Sequence, residues 1–169
     1  MLSEELINEI LNYWFPTQNY CKFWFKKEIH TDMYINNKYY HILIDMYDYL
    51  IKLKDDELDS IDSKKLICYI IILDQFSRNI SRVNNTITNN KILDMTKLAC
   101  KLSNIWINKK LYLTRPINES VFALMPLRHS YKLHDYKIIL DILEIINDDE
   151  NEIYKKFKNQ TLKKYELLK

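Results

Sequence analysis

The sequence predicts an all-α protein of about seven antiparallel helices, and two observations support this fold class. The 169 residues include no glycine. Phosphate-binding loops, dinucleotide-binding turns and tight two-residue hairpins depend on glycine, whereas helices do not. In addition, apolar residues recur at spacings of three and four along most of the chain, which is the period of an amphipathic helix.

The predicted helices follow from caps, prolines and apolar stripes. Ser3 is expected to cap the first helix, which Pro16 ends, and Asp32 is expected to cap the second. Pro116 suits the first turn of the fifth helix, and we expect Pro126 to interrupt it because proline lacks a backbone donor. The predicted helices are residues 4–14, 32–54, 63–80, 90–107, one that begins near residue 116, 135–146 and 152–168.

Composition and charge indicate one globular domain over residues 1–169 in a reducing compartment. The hydrophobic fraction is 47% and the net charge is +2, which is too small to indicate nucleic acid as the main partner. Three cysteines without metal-ligand spacing favour a cytoplasmic location. The acidic first helix and the lack of long apolar stretches predict neither a signal peptide nor a membrane span. Neither a metal nor a cofactor is expected.

The third predicted helix changes from wholly apolar to polar near its end. Its last residues include Asp74, Gln75, Arg78 and Asn79, and Arg82 follows. Arg78 lies one turn beyond Asp74, and a buried charge is costly unless it is paired. The pair is therefore either a structural ion pair or a site in which Arg78 presents its remaining donors to a planar anion.

Two further segments contain candidate site residues. Pro126 is followed by His129 and Ser130. The imidazole of His129 could act as an acid or base, or these two residues could simply end the helix. Two aromatic triplets, at residues 13–15 and 23–25, either belong to the core or form the floor of a pocket that includes Trp24.

Four ordered motifs resemble the bacterial family known as domain of unknown function 924. They are residues 10–15, Trp24-Phe25 with Asp32 after it, residues 73–80 with Arg82, and residues 125–130. The resemblance covers about residues 5–145 and implies a TPR-like all-α stack. Three residues depart from the family pattern, which usually has Arg at Ser120, Glu at Arg128 and Gln at Tyr136. The family's aromatic-proline-basic segment near the C-terminus has no evident counterpart in residues 147–169.

Three functional hypotheses follow. In the first, the protein binds a small anionic molecule and could be a divergent enzyme, with Asp74 and His129 as the catalytic residues. The ligand-binding residues would then be Arg78, Asn79, Gln75, Arg82, Trp24 and Ser130. In the second, a TPR-like module binds a peptide or protein in a groove lined by exposed tyrosines. The third and weakest hypothesis is RNA binding through lysine-rich faces, which requires a steep salt dependence.

Overall fold

The structure is a computed structural model that describes residues 1–169, and it is all-α, as predicted. The helices are α1 (Glu4–Trp14), α2 (Ile29–Leu50), α3 (Asp55–Asp59), α4 (Ser63–Ile71), α5 (Ser77–Ser81), α6 (Asn89–Asn108), α7 (Ile117–His129), α8 (Leu133–Ile146) and α9 (Glu152–Leu168). Short 3₁₀ turns occur at Lys22–Trp24 and Leu111–Leu113. The count exceeds the expected seven because α3 was not predicted and because a π-helical turn separates α4 from α5.

The centre of the core is α4. It packs against α1, α6 and α7, and every residue from Leu66 to Leu73 is buried. A helix that is apolar on all sides has to lie between other elements, as this one does. Each buried leucine or isoleucine contributes roughly 1.5–3 kcal/mol from removal of its side chain from water. The end of α4 is therefore held in place by packing, and this fixes the position of the polar residues that follow it.

The segment from α4 to α5 is one continuous helical run with a widened turn. At Ile72–Phe76 the backbone is π-helical, and the Ser77 N–H donates to the Ile72 carbonyl five residues earlier. The Ser77 hydroxyl donates to the Leu73 carbonyl. In a regular helix, this carbonyl would accept from the backbone N–H four residues later, so the hydroxyl takes the place of that donor. This run corresponds to the helix predicted over residues 63–80.

Two predicted helix features are wrong. The second helix begins at Ile29 rather than at residue 32, so Asp32 does not cap it. Instead, the Asp32 carboxylate is buried and accepts hydrogen bonds from Asn79 on α5 and from Arg82, which follows α5. Pro126 does not interrupt the fifth helix, because α7 continues through it to His129. All residues from Ser120 to Arg128 are buried, and this packing holds the helix together despite the missing donor.

The ends of the other helices agree closely with the sequence patterns. The Leu6 N–H donates to the Ser3 hydroxyl at 3.2 Å, which caps α1 as expected. Asn151 accepts from two backbone N–H groups at the start of α9. None of the helices combines the length and the apolar character needed to cross a lipid bilayer.

Candidate functional site

Asp74 and His129, which are 55 residues apart in sequence, are in direct contact. His129 Nδ1 lies 2.8 Å from Asp74 Oδ1 and 3.0 Å from Oδ2. An ionised carboxylate can only accept hydrogen bonds, so Nδ1 carries the proton and donates it. Both hydrogen bonds of the ring use Nδ1, and in the neutral ring Nε2 therefore remains as a proton acceptor.

Asp74 is fully buried at the π-helical turn and has two further partners. Gln75 Nε2 donates to Oδ2 at 2.7 Å, and Arg78 Nε lies 3.5 Å from Oδ1. Burial alone would raise the pKa of the Asp74 carboxyl. The charge and hydrogen bond of His129, with smaller contributions from Arg78 and Gln75, outweigh this effect and hold the pKa below its ordinary value. The carboxyl is therefore ionised at neutral pH and keeps His129 in one orientation.

The Arg78 guanidinium contacts two protein groups and keeps N–H groups that have no protein partner. Its Nη2 donates to Thr96 Oγ1 on α6 at 3.0 Å, while Nε faces Asp74 without forming a hydrogen bond. The side chain is 30% exposed. A guanidinium fixed by a carboxylate and a hydroxyl can direct its remaining N–H groups toward an external anion.

A second buried carboxylate joins the start of α2 to the end of α5. Asp32 accepts from Arg82 Nε at 2.6 Å and from Asn79 Nδ2 at 2.8 Å, and Arg82 Nη2 completes a bidentate pair. Sequence reasoning missed this cluster because it treated Asp32 as a cap. The available signal was the position of Asp32 on the same helical stripe as Ile35 and Tyr39, which are both buried.

These residues border a cavity of about 170 Å³ between the 3₁₀ turn at Lys22–Trp24, the π-helical turn with α5, and the end of α7. We call it the basic cavity. Five of its lining side chains are cationic and none is acidic. Its lining residues are Phe23, Trp24, Phe25, Lys26, Lys27, Gln75, Arg78, Asn79, Arg82, Met125, Arg128 and His129.

Most of the predicted site residues meet at the basic cavity, but two do not line it. Asp74 lies behind His129 and is shielded from the space itself. Ser130 ends α7: its hydroxyl donates to the Leu127 carbonyl at 2.7 Å and accepts from the Lys132 N–H. Ser130 borders a neighbouring cavity of about 250 Å³, which His129 also lines from its other side.

Several lining residues were not predicted as ligand-binding. Lys26 and Lys27 are adjacent in sequence, and both line the basic cavity. Arg128 adds a buried guanidinium from α7. Their sequence signal was weak, because a lysine pair beside an acid and a single arginine occur on many helix surfaces.

The two aromatic triplets divide between core and cavity. Trp14 is buried and packs edge-on against Phe76 and Phe122. Trp24 Nε1 donates to the Trp14 carbonyl at 2.8 Å, which fixes the ring of Trp24 as a wall of the basic cavity.

The structure has no group of three or more His, Cys, Asp or Glu side chains placed to hold a metal ion.

Comparisons with known proteins agree with this fold. No curated protein matches this chain. The solved structure of a protein of unknown function from Agrobacterium tumefaciens superimposes with a TM-score of 0.74 at 16% identity, covering 97% of this chain and 82% of that one. At this identity the similarity concerns the fold alone.

The family comparison extends further along the chain than the four motifs. The family described as bacterial protein of unknown function (DUF924) matches residues 10–168, so the match includes α9, beyond the expected limit near residue 145. With most of the sequence matched and the all-α fold shared with a solved protein, the chain belongs to the DUF924 family of bacterial proteins of unknown function.

Proposed function

We propose that the protein binds a small anionic molecule in the basic cavity. The observation that supports this most directly is the charge of the lining, which includes five cationic side chains and no carboxylate. Three of them have acidic partners nearby: Lys26 pairs with Glu28, Arg78 with Asp74 and Arg82 with Asp32. Lys27 and Arg128 form no salt bridge. The site therefore has positive charge in excess, and a cavity of one sign concentrates ligands of the opposite sign.

The contacts of Arg78 favour recognition of an anion over a purely structural role. Its guanidinium is held by Asp74 and Thr96, so little side-chain freedom is lost when a ligand binds. Larger cavities, of about 250 and 260 Å³, lie beside Tyr49 and Tyr69, but no buried charge lines them. The cavity of about 250 Å³ beside Ser130 has Asp135 in its lining, so among these cavities the basic cavity is the one that combines several partly buried cations with no carboxylate.

Acid/base catalysis on the bound anion is a second candidate function. With Nδ1 bound to Asp74, His129 can accept a proton at Nε2, and the Asp74 carboxylate then stabilises the resulting imidazolium. His129 borders the basic cavity, so a bound molecule would lie beside the ring. The peptide-binding alternative has less support, because the exposed tyrosines, Tyr34 and Tyr131, lie far apart in sequence and only Tyr131 borders one of the described cavities.

Isothermal titration calorimetry with a panel of small anions, including sulfate, inorganic phosphate, benzoate and glutarate, tests the proposal. We expect at least one anion to bind with one-to-one stoichiometry. Arg78→Gln should weaken that binding about tenfold or more, the effect of losing a charge-assisted hydrogen bond.

Arg115→Gln is a matched control. Arg115 is exposed to a similar degree and also pairs with an acid four residues away, Glu119, but it lies outside the basic cavity. Equal weakening by both substitutions, or no binding of any anion at millimolar concentration, would contradict the proposal.

A further inference from the structure

Arg128 is a buried charge without a counter-ion. Its side chain reaches the basic cavity from α7, only 8% of the residue is exposed, and it forms no salt bridge. Its partners are weak or neutral. Nη1 donates to Gln160 Oε1 at 3.2 Å, Nη2 donates to the Met125 sulfur at 2.9 Å, and the guanidinium lies 4.8 Å from the centre of the Phe157 ring.

The guanidinium remains charged in this environment. Burial lowers the pKa of Arg128, but arginine stays protonated because its ordinary pKa is far above neutral. The nearby Asp74 carboxylate is already bound by His129, Gln75 and Arg78. A thioether, an amide oxygen and an aromatic face compensate a desolvated charge less well than a carboxylate or phosphate does.

The C-terminal helix α9 fixes the position of this charge. Phe157 and Gln160 both belong to α9, and Phe157 is buried against α7. The guanidinium lies over the Phe157 ring and donates to Gln160, so its position is set before a ligand arrives. Its Nε donates to no protein group. Preorganised donors of this kind bind an incoming charge without a large cost in side-chain entropy.

We propose that Arg128 binds a second negative charge of the ligand, so that the basic cavity selects dianions over monoanions. This inference rests on the proposed anion-binding function and specifies its ligand class. Arg78, on the wall formed by α5, would meet one charge, and Arg128, on the wall formed by α7, would meet the other. Phosphate monoesters and dicarboxylates share this chemistry.

Calorimetry of the wild-type protein at pH 8 with two pairs of probes tests the inference. Phenyl phosphate, a dianion at this pH, is compared with methyl phenyl phosphate, a monoanion. Glutarate is compared with its monoamide. We expect the dianion of one pair to bind about tenfold or more tightly than its monoanion, and the responding pair identifies the phosphate or the dicarboxylate class.

The outcomes separate this inference from the proposed function. Equal affinity within both pairs would overturn the role of Arg128 and leave anion binding in place. Absence of binding by all four probes would overturn this inference, and the proposed function would fail with it only if sulfate, inorganic phosphate and benzoate also do not bind.

Two substitutions test whether the preference for dianions depends on Arg128. Arg128→Gln should abolish the difference between dianion and monoanion while leaving the monoanion affinity nearly unchanged; a retained preference would overturn the inference. Gln160→Ala removes an exposed partner of the guanidinium and should not disturb folding. It should reduce the dianion preference about threefold, the effect of one lost hydrogen bond, and an unchanged preference would again count against the inference.

Discussion

At the scale of single residues, Asp74 pairs with Arg78 at the end of the buried helical run and also holds His129. Its carboxylate satisfies buried donors at the end of α4, as a structural ion pair would. The same carboxylate holds the ring of His129, which lines the basic cavity, through Nδ1 and leaves Nε2 without a protein partner. The bond that stabilises the helix end is thus also the bond that would orient an acid or base, and a substitution at this position should affect both stability and the site.

Replacing Asp74 by asparagine should lower the free energy of unfolding by roughly 2–4 kcal/mol at pH 7, because it leaves Arg78 beside an uncharged group. This loss is smaller than for a wholly buried ion pair, because Arg78 is partly exposed. Urea denaturation measures the change. Asp94→Asn is the control, since Asp94 also pairs with a cation, Lys97, but lies on the surface. Its effect should be close to zero.

The cost of Asp74→Asn should also depend on pH. Because the pKa of Asp74 is lowered in the folded protein, its ionised form stabilises the fold above the ordinary carboxyl pKa of about 4. That stabilisation is lost as the pH falls through the lowered value. The difference in unfolding free energy between wild type and variant should therefore shrink below about pH 4. A difference that stays constant to pH 2 would show that the charge of Asp74 contributes nothing.

At the scale of elements, the π-helical turn at Ile72–Phe76 is the feature that shapes the site. It lies where the helical run changes from burial on every side to a polar face with Gln75 and Arg78. Turns of this kind are less stable than regular helix and are found often at functional sites. Here the Ser77 hydroxyl helps to maintain the turn by donating to the Leu73 carbonyl.

Ser77→Ala should lower the free energy of unfolding by about 1–2 kcal/mol, because the Leu73 carbonyl would lose its hydroxyl donor inside the core. Ser103→Ala is a close control. Ser103 is also buried and its hydroxyl donates to the carbonyl of Ala99, four residues earlier, but it does so within the regular helix α6. Thermal denaturation should show the larger loss for Ser77→Ala. Equal losses would mean that the hydroxyl has no special role in the π-helical turn.

Most helix positions could be predicted from sequence, although α3 was missed, whereas contacts between helices could not. Apolar periodicity gave α1 and the run from α4 to α5 because it reflects local geometry. The π-helical turn differs from a regular helix by a shift of hydrogen-bond register that leaves no compositional signal. The expected break at Pro126 was wrong because tertiary packing of α7 outweighs the local preference of proline.

In the candidate site, too, contacts within one helix could be predicted from sequence, whereas contacts between helices could not. Asp74 and Arg78 could be expected to pair because four residues separate them on one helix. The bond from His129 to Asp74 spans 55 residues, and only the resemblance to a family suggested that the two segments meet. The pairing of Asp32 with Arg82 had no local signal except an acid on an apolar stripe, which a helix cap explains equally well.

At the scale of the whole molecule, the distribution of charge matters more than its small net value of +2. Several surface lysines pair with carboxylates on other elements, including Lys64 with Glu4 and Lys101 with Asp55. The basic cavity brings together five cationic side chains with no carboxylate in its lining. Under the proposed function, the molecule would bind a small anion at this one place rather than a long polyanion along one face.

We therefore expect a single-stranded oligouridylate to bind weakly, if at all, at physiological salt. Filter binding over a range of salt concentrations measures this. Tight binding whose affinity falls steeply with salt, the sign of many phosphate contacts, would favour the RNA-binding hypothesis and contradict this expectation. The wild-type affinity for the best small anion, measured in the same buffers, provides the comparison.

The position of Trp24 has a practical consequence for the search for a ligand. The chain has three tryptophans, and Trp24 lines the basic cavity while Trp14 and Trp106 are enclosed in the core. A molecule that enters the cavity replaces water against one indole and leaves the other two unchanged. Intrinsic fluorescence therefore reports occupancy without a label, so compound collections can be screened optically for ligands.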